Sequence, residues 1–152
     1  MPQITKGGKY VFAVSIIGLD GTVVVPPEAM REYHFQDGDK VLLMNGSRTT
    51  GGFVVTKVDY IEKSALYSLF KNLPLPMPEG EIMKNGGRSF YRTIMRPGGN
   101  IVLTPGALPA FGVKPGERLM VFRGSHLGVG FGCRGPVWEK VMTHRELAVF
   151  GG

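Results

Sequence analysis

The chain has 152 residues, 43% of them hydrophobic and 20% charged, with 18 Lys/Arg against 12 Asp/Glu and one cysteine. This length suits one ordinary domain or two very small ones, and the composition is that of a globular rather than a disordered chain. Cys133 alone excludes an intramolecular disulfide framework and any cysteine-based zinc site. The longest apolar run, 10–19, is broken by Ser15 and Gly18 and falls short of the roughly 18–20 residues that span a bilayer. With no signal-type start, a cytoplasmic protein without membrane contact is expected.

Charge is spread unevenly. Residues 1–60 and 61–87 are each neutral overall, whereas residues 88–152 hold nine Lys/Arg against three Asp/Glu. A basic half of this kind is compatible with a polyanion such as nucleic acid, and many soluble proteins are as basic without one.

The order of local signals occurs twice. An apolar stretch at 10–17 leads to a turn at Leu19-Asp20-Gly21 and a short β-branched strand, Val23 to Val25, expected to be buried on both faces. Pro26-Pro27-Glu28 opens a short helix, with Glu28 near the positive end of its dipole and His34 where a terminating glycine is usual. The turn 36–39, a strand at 40–44, an Asn45-Gly46 hairpin signal and a strand at 53–58 complete the unit.

Between the copies, 60–72 has Ile61, Ala65, Leu66, Leu69 and Phe70 at helical spacing, and the proline-rich 73–80 reads as an extended linker. The second unit then repeats the first. Strand 90–95, turn Pro97-Gly98-Gly99 and strand 101–103 lead to a helix capped by Thr104, with Pro105 at its first position and Gly112 at its end. A Pro115-Gly116 turn, strand 118–122, an Arg123-Gly124 hairpin and strand 129–133 follow. A weak helix is predicted over 144–150.

The segment 21–53 aligns with 99–131 at a constant offset of 78 residues without a gap, with identical pairs such as Gly21/Gly99, Pro27/Pro105, Gly38/Gly116 and Phe53/Phe131. Each copy spans only about 45 residues, near the lower limit for independent folding, so the two are expected to share one core. The predicted organisation is repeat 1 at 8–58, a helix plus proline-rich linker at 59–85, repeat 2 at 86–134, and a tail at 135–152.

The run VVVPPEAMR followed by the DGDKV turn, and in the second copy FGVKPGERLMVF, resembles the AbrB/MazE/SpoVT family of small β-rich DNA-binding domains. The resemblance covers both repeats and leaves out the connector and tail. It implies a mainly β fold: a swapped-hairpin barrel built from two β-β-α-β-β units, here within one chain as an intramolecular pseudo-dimer, as in tandem-copy members such as the MraZ-type regulators. It further implies transcription regulation through double-stranded DNA. The positions where the family carries basic residues are Ser15, Thr22, Met30 and Arg31 in copy one, and Thr93, Asn100, Leu108 and Pro109 in copy two. Only Arg31 keeps a charge, which weakens the phosphate contacts that supply most non-specific DNA affinity.

Arg88, Arg92 and Arg96 offer a partial replacement, since their even spacing puts them on one strand face with Phe90 and Ile94. An arginine stripe suits a phosphate backbone, and Asn100 could reach a base edge. The plainer alternative leaves Arg88 and Arg96 in solvent and pairs Arg92 with a carboxylate. Arg31 and Lys9 are weaker contributors from copy one, so DNA contact is expected mainly from the basic second repeat. A non-enzymatic protein-binding or assembly module on the same fold, antitoxin-like and with a protein partner or a second copy, is the second reading.

Other constellations carry less. The glycines of 128–135 lack the strand-then-helix context of a phosphate loop, and close backbone packing explains them better. His34, His126 and His144 show no ligand spacing, so no metal is expected. No nucleophile motif appears, and neither enzymatic activity nor a cofactor is expected. Trp138, Tyr60, Tyr67 and Phe70 are expected to pack the connector and tail onto the repeats.

Overall fold

The structure is a computed structural model that describes residues 10–62, 79–85, 87–125, 128–144 and 146–152. Lys9, Tyr67, Phe70, most of the expected connector helix and most of the proline-rich linker lie outside the described residues. The first repeat supplies β1 (Val11–Ile16), β2 (Thr22–Val24), α1 (Pro27–Glu32), β3 (Lys40–Asn45) and β4 (Phe53–Lys57). A helical turn α2 (Val58–Glu62) and a strand β5 (Ile82–Asn85) precede the second repeat. That repeat supplies β6 (Arg88–Ile94), β7 (Asn100–Val102), α3 (Ala107–Ala110), β8 (Arg118–Arg123) and β9 (Gly128–Gly132). The chain closes with α4 (Pro136–Met142) and β10 (Val149–Gly151).

The fold is mainly β and mostly antiparallel. Among the described residues, eight strands form one sheet in the order β10-β1-β8-β9-β4-β3-β6-β5, and β2 pairs with β7 in a separate two-stranded ribbon. Among the described residues the large sheet is open: β10 and β5 are its edges, so hydrogen bonding between described strands does not close it into a barrel.

The first strand of each repeat pairs with the third strand of the other. β1 is antiparallel to β8 with Ile16 opposite Arg118, and β6 is antiparallel to β3 with Ile94 opposite Lys40. Those two registers become identical when 78 is added to the first repeat, from Ala13 to Ile16; a bulge between Val11 and Ala13 then shifts β1 by one residue. The pairs β2–β7 and β4–β9 each place equivalent residues directly opposite, Val23 against Ile101 and Phe53 against Phe131. The pairing therefore maps onto itself under an approximate two-fold operation passing through both pairs. Phe53 and Phe131 stack there with ring centroids 5.0 Å apart.

One principal core draws on both repeats. Phe12, Val23, Leu43, Phe53 and Val55 of the first meet Tyr91, Ile101, Leu119, Val121 and Phe131 of the second, all essentially inaccessible to solvent. The buried Tyr91 hydroxyl donates to the Val102 carbonyl (2.8 Å), tying β6 to β7. Two smaller apolar clusters lie outside this core. One holds Leu42, Met44 and Phe90; the other holds Val11, Val14, Met120 and Phe122, with α4 and Leu147 against it.

Several local expectations hold. His34 has φ +57°, the single non-glycine positive φ among the described residues, and Gly112 has φ +69° at the equivalent place. Pro26 is the N-cap of α1, Pro27 its first residue and Glu28 lies in its first turn. Other expectations need correction. Instead of being buried on both faces, β2 and β7 bury only their central residues fully, because the ribbon has one face on the core.

The second short helix begins at Ala107 with Gly106 as N-cap and no side-chain cap bond, rather than at Pro105 under Thr104. Pro109 explains this: a proline is accommodated in the first helical turn but not deeper, so the helix must start late. The expected helix over 144–150 is also displaced. The tail helix is 136–142, with Pro136 in its first turn, and Val149–Gly151 instead forms a parallel strand on the free edge of β1.

The glycines of β9 have a packing role. A Cβ at Gly130 would come within 2.3 Å of the Phe122 ring, and one at Gly132 within 2.9 Å of the Met120 methyl. Bare backbone lets these two side chains lie flat across β9. Gly130→Ala should therefore destabilise the protein by about 1–3 kcal/mol through overpacking. Denaturant unfolding of Gly130→Ala, Phe122→Leu and the double variant checks this. The double variant should lose less than the sum of the singles, and strict additivity would contradict the contact.

Candidate nucleic-acid interface

The turns that follow β1 and β6 are set by the same devices. Gly21 has φ +84° and Gly99 φ +77°. A Cβ at Gly21 would lie 2.1 Å from the Leu103 carbonyl oxygen, and one at Gly99 2.5 Å from that of Val25. Side chains are thus excluded at both, and each turn is pinned to the other repeat by Leu103 N–H to the Gly21 carbonyl (2.9 Å) and Val25 N–H to the Gly99 carbonyl (2.8 Å).

The β6–β7 turn gathers charge from both repeats. Arg96 is exposed at its start and pairs backbone to backbone with Asn100. Met30 of α1 packs over Gly99, within 3.6 Å of where a Cβ would stand, so the exposed Arg31 next to it belongs to the same end of the molecule. The 36–39 turn also docks here, with Gly38 N–H to the Met95 carbonyl at 2.7 Å and Met95 N–H to the Asp39 carbonyl at 2.9 Å. This brings in the exposed Lys40, opposite Ile94. Asp39 is engaged by Lys57 at 3.3 Å, while Asp37 is exposed on the same turn.

Of the sequence-predicted residues, Arg31, Arg96 and Asn100 are thus brought together. The Asn100 amide donates to the Pro97 carbonyl (2.8 Å), so this group clips the turn instead of projecting outward as a base-reading amide would. Arg88 stands at the other end of β6, eight residues from Arg96 and so about 26 Å away at strand rise. Arg92 is half-buried in mid-strand, where its carbonyl accepts from Gly80 N–H (2.9 Å). The expected strand face is correct: Arg88, Phe90, Arg92 and Ile94 alternate with the buried Ser89, Tyr91 and Thr93. As a continuous phosphate-tracking stripe it fails, because Phe90, only 1% exposed, belongs to an apolar cluster between the first two arginines. Lys40 is not among the sequence-predicted residues; its position 78 residues before Arg118 is the signal that could have found it.

Part of the basic excess of the second half has structural employment. The Arg123 guanidinium forms a two-pronged ion pair with Glu32 (Nε to Oε2, 2.6 Å) and lies 4.2 Å from the Tyr10 ring centre. Hydrogen bonding from Arg123 holds the Glu32 carboxyl below its ordinary value. The equivalent tie on the other side of the two-fold is neutral, Asn45 Nδ2 to the Ala110 carbonyl at 3.2 Å. Arg134 donates through Nη2 to the Arg48 carbonyl at 3.0 Å, closing the β3–β4 loop. Trp138 and Tyr60 pack as expected, through Trp138 Nε1 to the Arg118 carbonyl (2.9 Å) and the Tyr60 hydroxyl to the Tyr33 carbonyl (2.8 Å).

Among the described residues no group of three or more His, Cys, Asp or Glu side chains could hold a metal ion. No described helix is long and apolar enough to cross a membrane. No protein-family model, curated protein or solved structure matches the chain.

The Glu32–Arg123 pair has a defined pH signature. A carboxylate whose folded pKa is depressed adds stability above its unfolded value, and that stability is lost as pH falls through the folded pKa. Both side chains are partly exposed, so the effect should be modest, under about 1 kcal/mol. Glu32→Gln should be less stable than the wild type at neutral pH, and the difference should shrink as pH drops below the ordinary glutamate value of 4.5. Thermal unfolding across pH measures this, and a gap that widens on acidification would contradict it.

Proposed function

We propose that this chain is a DNA-binding transcriptional regulator of the AbrB-like class, with the two repeats making the family's swapped-hairpin unit intramolecularly. The exchange of first strands between repeats, with equivalent residues opposed at Val23/Ile101 and Phe53/Phe131, supports the fold assignment. One observation carries the functional half: Arg31, Lys40 and Arg96 gather from both repeats around one turn. One cation on the turn and two on the elements packed around it suit the phosphate backbone of duplex DNA, which rewards positioned positive charge whatever the sequence. Contact is lopsided, because the corresponding positions at the other turn are Pro109, Arg118 and Gly18, and the further cation there, Lys114, shares its groove with Asp20.

The antitoxin-like reading, a protein-binding module without DNA, is favoured by a different feature, the exposed Leu19 beside an apolar groove at that other turn.

Fluorescence anisotropy with duplex DNA at several salt concentrations separates the two readings. Affinity should fall steeply with salt, and Arg31→Ala or Arg96→Ala should each reduce the log–log slope by about one. Arg88→Ala, at the remote end of β6, should leave the slope unchanged. Salt-independent binding, or equal effects from Arg88 and Arg96, would overturn the assignment of the interface.

A further inference from the structure

The two equivalent turns have diverged, and the first carries a surface that the second lacks. Leu19 is 92% exposed, although it is a large aliphatic side chain on a turn fixed by Gly21 N–H to the Gly18 carbonyl (3.0 Å). It borders a groove of about 340 Å³ whose lining includes Leu108, Pro109 and Val113 together with Asp20 and Lys114. At the second turn the counterparts of Leu19, Asp20 and Lys114 are Pro97, Gly98 and Gln36, so the apolar projection and both charges are absent there.

We propose that two copies of the chain associate through this groove about a two-fold axis, each seating Leu19 against Leu108, Pro109 and Val113 of the other. A two-fold contact requires a patch complementary to itself. Here an apolar projection and an apolar recess lie on the same patch, which meets that requirement. The charges fit as well. Asp20 and Lys114 both line the groove, so a two-fold contact through it sets Asp20 of each copy against the end that carries Lys114 of the other, and the axis makes this happen twice. Asp20 is held ready: its Oδ1 accepts from Thr22 N–H at 3.0 Å, which fixes the carboxylate on the turn. Within one chain no ion pair joins Asp20 to Lys114 among the described residues. A contact made by one leucine and one short groove on each copy falls well below the roughly 800 Å² per partner of a standard interface, so the association is weak and concentration-dependent.

Sedimentation velocity of the full chain without nucleic acid, from micromolar to near-millimolar concentration, tests the proposal. The wild type should shift from monomer to dimer as concentration rises, and Leu19→Glu should remain monomeric. Asp20→Lys or Lys114→Glu alone should weaken association by about tenfold, and the Asp20→Lys/Lys114→Glu double variant should regain most of it. Leu19 and Lys114 are exposed, so thermal melts matching the wild type are expected; if Leu19→Glu nevertheless fails to fold, the charge-exchange set decides alone. A wild type that stays monomeric throughout would overturn the proposal. So would dimers unaffected by these substitutions, which would place the self-contact elsewhere, or a double variant no better than the singles.

Discussion

Hydrogen bonding between β1 and β8, and between β6 and β3, is the constraint on which the rest of the structure depends. An apolar strand such as β1, buried along most of its length, cannot leave its backbone amides and carbonyls unpaired. Within its own repeat it has no partner, because β2 turns away to pair with β7 and β3 is taken by β4 and β6. Each repeat therefore completes the other. The shared core follows, since residues carried by interleaved strands face the same interior, and so does the stacking of Phe53 on Phe131 where the approximate axis passes.

The same constraint fixes the turns and frees their surfaces to differ. Backbone contacts at Gly21 and Gly99 are both too close for a Cβ, so neither position tolerates a side chain. Outward-facing positions have no such restriction. One turn has become basic, with Arg31, Lys40 and Arg96 around it, and the other apolar, with Leu19 above its groove. Even the ties between a hairpin and the short helix have diverged, one an arginine–glutamate pair and the other an asparagine–carbonyl bond. A symmetric scaffold thus presents two unlike ends, which is the arrangement expected if one end binds DNA and the other a second copy.

Features encoded locally are legible in the sequence. The 78-residue register, the glycine turns, the positive φ at His34 and Gly112 and the spans of the repeat strands follow from residues close together in the chain. Pairing partners are not legible from periodicity, because register between distant strands leaves no local trace; only the family resemblance suggests an exchange. Strand β10 is hidden for the same reason, since Val149–Gly151 is extended only because the edge of β1 is available. The tail helix does leave a local signal: Val137, Trp138, Val141 and Met142 have helical spacing, and Pro136 suits a first turn. For the site, strand parity places the β6 arginines on the correct face, but it cannot reveal that Arg31 and Lys40 are carried to Arg96 by the packing of the other repeat. Nor can it show that Arg123 and Arg134 serve internal contacts.

Native-state hydrogen exchange tests the central claim most directly. If the repeats are obligately interleaved, the slowest amides of β1, β3, β6 and β8 should exchange through one global opening. They should share a single free energy and a single dependence on denaturant. If the amides of β3 and β4 opened separately from those of β8 and β9, each set with its own free energy, the two repeats would be independent units, and obligate interleaving would be contradicted.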